Sequence, residues 1–88
     1  MATIKEIADI YSNRLLSTND GVGESRKIAA EIQQLKYEGG RALTEDDKKA
    51  IIKELNDVKR GPNGLILKEA DNKNYLKLVA LIQTLVAK

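Results

Sequence analysis

The chain has 88 residues, 42% hydrophobic and 32% charged, with fifteen basic and thirteen acidic side chains and a net charge of +2. That balance suits a folded globular protein and falls short of the electrostatic footprint of a dedicated nucleic-acid binder. Cys, His, Trp and Phe are all absent, which excludes disulfides, thiolate nucleophiles, zinc–cysteine sites, the commonest general acid–base and most base-stacking platforms.

The N-terminal MATIKEIADI carries charges where a signal peptide needs an unbroken apolar stretch. The longest apolar run, Leu78 to Ile82, covers five residues, far below the ~20 that span a bilayer. The expectation is a single small helical domain over residues 1–88, in a reducing compartment, the cytoplasm.

Four segments have a helical period, which predicts an all-α fold of two helix–loop–helix hairpins. The first helix, about 3–17, opens on the capping pair Thr3 and Glu6 and aligns Ile4, Ile7, Ala8, Tyr11 and Leu15 on one face. The turn-rich Ser17–Gly23 ends it. The second, about 24–38, carries Ile28, Ile32 and Leu35 and stops at Gly39-Gly40. The third, about 45–58, starts after Thr44, whose hydroxyl can cap Asp47. Glu45, Asp46 and Asp47 stand at the positive end of its dipole. Its stripe is Ile51, Leu55 and Val58, with Ile52 beside it.

Then comes RGPNGLILKEAD, Arg60 to Asp71. Gly61-Pro62-Asn63-Gly64 reads as a β-turn with Pro at its second position and Gly at its fourth. The aliphatics Leu65–Leu67 suggest a short extended segment, which can pair with Val22 in the first connector. The fourth helix, about 72–87, is apolar over well over half of its circumference. It is expected either to be surrounded by the other three helices or to meet a second subunit. KIAAEIQQL (27–35) and KLVALIQTL (77–85) share Lys, Ala, Ile, Gln and Leu positions fifty residues apart. This is a faint repeat, which similar packing demands also explain.

The motifs exclude more than they select. A calcium loop needs oxygen ligands at positions 1, 3, 5 and 12. With Gly64 at position 6, Lys59, Gly61 and Ala70 occupy three of those places, and no other register does better. A Walker loop fails too, because Gly61 and Gly64 stand three apart and Pro62 removes an amide donor. In the third helix, lysines interleave with Glu45, Asp46, Asp47, Glu54 and Asp57, the pattern of a solvated face rather than a recognition helix. Ser12, Ser17 and Ser25 have no His to activate them, so no catalytic residue, cofactor or metal ligand is expected.

The remaining expectation is recognition by surface. The class is a non-catalytic protein-binding module of the inhibitor, immunity, adaptor or phage-accessory kind, which occupies or assembles a partner protein. Leu76, Leu81 and Leu85 on the fourth helix are its interface candidates, with self-association through 72–87 as one form. The second expectation is a small nucleic-acid-binding protein using Lys59, Arg60, Lys68 and Lys73 against phosphates.

Overall fold

The computed structural model describes residues 3–36 and 40–87. It is all-α, with four helices in chain order: α1 (Ile4–Ser17), α2 (Gly21–Gln34), α3 (Glu45–Asn56) and α4 (Glu69–Val86). Each helix starts where a local chemical signal fixes it, though two signals differ from the expected ones. Thr3 accepts from the Glu6 amide and Thr44 from that of Asp47, whose carboxylate accepts from the Thr44 amide in return. These bonds satisfy amides that a helix start otherwise leaves unpaired.

Helix α2 begins three residues before the expected Glu24, because Asp20 is its cap and accepts from the Gly23 amide. Glycine at position 21 also serves packing, since a Cβ there would lie 2.7 Å from a Leu78 methyl. Helix α4 likewise starts at Glu69 rather than Asn72, with no capping side chain and with Glu69 and Asp71 in its first turn. Their carboxylates at the positive dipole end favour this earlier start.

The ends move as well. Leu35 turns extended and closes α2 at Gln34, Lys36 bridges Ala42, and the Leu43 amide donates to the Leu35 carbonyl. That return drives Leu43 into the core. The expected end of this helix, residue 38, lies outside the described residues. Helix α3 ends at Asn56 instead of residue 58, with Asp57 as its cap.

The core is one cluster built chiefly from Tyr11, Leu15, Ile28, Ile32, Ile51, Leu55, Tyr75, Val79 and Ile82. The closest packing runs between the hairpins, α2 against α4 and α1 against α3, rather than within them. Burial repeats in register. Residues 11–20 and 51–60 show the same order of buried, half-buried and exposed positions, ten for ten. Residues 28–35 and 78–85 match at all but Glu31 and Leu81. The faint sequence repeat therefore lies on two helices with the same packing role, one against the other.

The register shifts by ten between those pairs of segments, and the shift falls in the connectors. Only residues 18–20 join α1 to α2, whereas residues 57–68 join α3 to α4. Helix α4 does not have its whole circumference covered. Tyr75, Leu78, Val79, Ile82 and Val86 are buried, Leu76, Leu81 and Leu85 are half-buried, and Lys77, Ala80, Gln83 and Thr84 are exposed. Among the described residues no helix is long and apolar enough to cross a membrane.

Candidate binding surface at the second connector

The long connector is a small hairpin, and its sequence explains why. Pro62 presets the turn, and Gly64 supplies the left-handed φ of +80° that any larger residue would strain to adopt. The Gly64 amide donates to the Gly61 carbonyl at 2.9 Å, closing the expected β-turn. Gly61 donates to the Leu65 carbonyl and Leu67 to that of Lys59, both at 2.9 Å. Between those bonds Arg60 and Ile66 form an antiparallel bridge. In this pattern the bridged residues direct their own N–H and C=O groups outward. Two side chains brace the turn: Arg60 Nη1 donates to the Gly64 carbonyl at 2.9 Å, and Asn63 Oδ1 accepts from the Leu65 amide at 3.1 Å.

This corrects the expected partner of the extended segment. Val22 lies inside α2, so its backbone is committed to the helix, and residues 65–67 pair with 59–61 instead. The aliphatics do not all turn inward either. Leu67 is half-buried, but Leu65 and Ile66 are 67% and 68% exposed, the most exposed large hydrophobics among the described residues. The sequence-based expectation takes the three as one short extended segment. The signal it passed over was their place between a tight turn and a helix start, where three consecutive side chains cannot share one face.

The hairpin has a hollow on either side. One, of about 400 Å³, is lined by Leu15, Leu16, Leu67, Tyr75 and Leu78, with Lys68 and Asp71 also in its wall. The other, of about 610 Å³, is polar and gathers Lys5, Asp9, Glu54, Asp57, Lys59 and Arg60. Lys59 and Arg60 thus share a hollow with three carboxylates, Lys68 lines the opposite one, and Lys73 lines neither. All four cations are exposed, but the fold does not collect them on one face. The interface candidates divide similarly. At about 100° per helical residue, Leu76 points roughly 140–180° away from Leu81 and Leu85. Leu76 and Leu85 pack onto the core edge.

Electrostatics hold the first hairpin. Arg14 meets Glu24 at 3.1 Å and Glu31 at 2.8 Å, joining α1 to α2, and its guanidinium lies 5.7 Å from the centre of the Tyr11 ring. Burial alone would lower the Arg14 pKa, but hydrogen bonds and charge from Glu31 and Glu24 outweigh it and raise it further. Burial, then the Glu31 charge, raises the Tyr11 phenol against the opposing pull of Arg14.

The second hairpin uses a buried hydrogen bond, Tyr75 Oη to the Leu55 carbonyl at 2.6 Å. Burial, with the charge of Asp9 added, pushes the Tyr75 phenol well above its ordinary value of 10.0. It is a protonated structural donor. Among the described residues no group of three or more His, Cys, Asp or Glu is placed to hold a metal ion. Comparison of the sequence and fold with protein-family models, with curated proteins and with solved structures gave no match.

Proposed function

We propose that the protein is a non-catalytic protein-binding module of the cytoplasm that meets its partner through the 59–67 hairpin. The observation that carries this reading is the placement of Leu65 and Ile66, exposed on the longer of the two hairpin connectors. Exposed apolar side chains that contribute nothing to a core, on a braced turn, are what a binding loop on a rigid scaffold requires. The hollow between α1 and α4, whose wall mixes apolar and polar side chains and includes Leu65 and Ile66, offers a recess beside them.

The test is affinity capture from the native host with wild type and with a Leu65→Ser/Ile66→Ser variant. A partner that binds wild type and is lost from the equally folded variant supports the reading. A partner retained by that variant but lost on Leu81→Glu would move the interface to α4. Sedimentation of both proteins tests self-association, which requires wild type to associate at high concentration.

Nucleic-acid binding is the second reading. One observation favours it: between Asp57 and Glu69 the connector carries Lys59, Arg60 and Lys68 and no acid. The carboxylates of Asp9, Glu54 and Asp57 beside Lys59 and Arg60 weigh against it. No retention on DNA or RNA at low salt, where phosphate contacts are strongest, removes it.

A further inference from the structure

We infer that Asn63-Gly64 is a self-modification site, at which the protein turns Asn63 into aspartate and isoaspartate without help from any other protein. The reaction needs a backbone nitrogen next to a side-chain amide, a following residue with little bulk, and water. Gly64 supplies the nitrogen and has no Cβ. Both residues are exposed, so water reaches them. The hydrogen bond from the Leu65 amide to Asn63 Oδ1, at 3.1 Å, holds the side chain within the turn. It also places a donor on the oxygen where negative charge develops during attack.

The step balances with water alone. The Gly64 nitrogen attacks Asn63 Cγ, a new N–C bond forms, and the bond from Cγ to Nδ2 breaks. Ammonia leaves with the proton that Gly64 gave up. Water then opens the resulting five-membered imide. Breaking the bond from nitrogen to Cγ gives aspartate, and breaking the bond from nitrogen to the backbone carbonyl carbon gives isoaspartate. Nothing is oxidised or reduced.

The fold singles out this asparagine and also restrains it. Asn13, Asn56, Asn72 and Asn74 lie within helices, and Asn19 precedes Asp20 rather than glycine. The Gly64 N–H is engaged by the Gly61 carbonyl, so the nitrogen becomes available only when the turn opens. Conversion therefore reports turn opening, and it then destroys the turn. Isoaspartate adds a methylene to the backbone inside the hairpin, and either product places a carboxylate in the wall of the hollow that Lys68 also lines. This holds whether or not the hairpin meets a partner.

The experiment incubates wild type at mildly alkaline pH beside a synthetic peptide of residues 61–68. Tryptic fragments, cut after Arg60 and Lys68, are then mapped by mass and by isoaspartyl methylation. Asn63 is expected to convert first among the asparagines of the folded protein. The folded protein should react roughly tenfold more slowly than the peptide, the ratio for a step that waits on opening one hydrogen-bonded turn. Asn63→Ser should abolish the signal in that fragment. The inference is overturned if folded Asn63 is intact after the peptide has converted fully and been left ten times longer, or if another asparagine reacts first.

Discussion

The two halves of this molecule share a packing plan and differ in what holds each hairpin closed. In α1–α2, Arg14 clasps Glu24 and Glu31 across a three-residue connector. At the matching places of α3–α4 stand Glu54, Asn74 and Leu81, which cannot form such a clasp. There the long connector makes its own hairpin, and Tyr75 reaches the last turn of α3 where the first half has a buried Ser25. Ser25 instead returns its hydroxyl to the Gly21 carbonyl of its own helix. Equivalent apolar positions therefore set the architecture, while the polar residues at the periphery fix each half separately.

The largest expected effect tests the shared plan. Ile32 and Ile82 hold matching positions and are both completely buried. Truncating either to Ala should cost about 2–5 kcal/mol, and the two costs should be alike in chemical denaturation. A tolerated Ile32→Ala beside a severe Ile82→Ala would break the equivalence of the halves.

Next comes Tyr75→Phe, at roughly 1–2 kcal/mol, toward the modest end because the Val58 amide also donates to the Leu55 carbonyl. This variant has a pH signature. The folded state keeps the Tyr75 proton above the ordinary value of 10.0, whereas the unfolded state releases it near that value. Stability from this group is complete below about pH 10 and declines as pH rises further through the raised pKa. Thermal melts should show wild type losing more stability than Tyr75→Phe in that range.

The ionic clasp should matter less. Arg14→Ala is expected to cost roughly 1 kcal/mol, and the cost should shrink in high salt because both ion pairs are partly exposed. Glu54→Ala, at the matching position, should change stability little, and a comparable loss there would reveal a clasp of the second half too. The smallest effect belongs to Leu65→Ser/Ile66→Ser. With both side chains exposed, its melting curve should stay within about 0.5 kcal/mol of wild type. A larger loss would make the hairpin tip part of the scaffold and remove the reason for assigning it to binding.

Helix count and helix faces were legible because each apolar stripe recurs at the helical period, and Thr3 and Thr44 marked two starts through local bonds. Asp20 was a readable cap that the glycines around it concealed. The fate of Leu65–Leu67 was not legible. Their composition is the same whether they face a core or solvent, and only the packed hairpin decides that Leu65 and Ile66 are exposed while Leu67 is half-buried. The basic cluster around the connector was visible as a set of lysines and an arginine. Its division between two hollows depends on which side of the hairpin each backbone position falls.

By itself the sequence determined four helices, the caps at Thr3 and Thr44 and the Pro-Asn-Gly turn, since each depends on residues only a few positions apart. The tertiary structure decided that α2 packs on α4 and α1 on α3, that Tyr75 reaches Leu55 across twenty residues, and that Arg14 finds two carboxylates on the next helix. Those contacts join positions distant in sequence. Apolar stripes of similar width leave several pairings open until the helices dock and one arrangement buries them together.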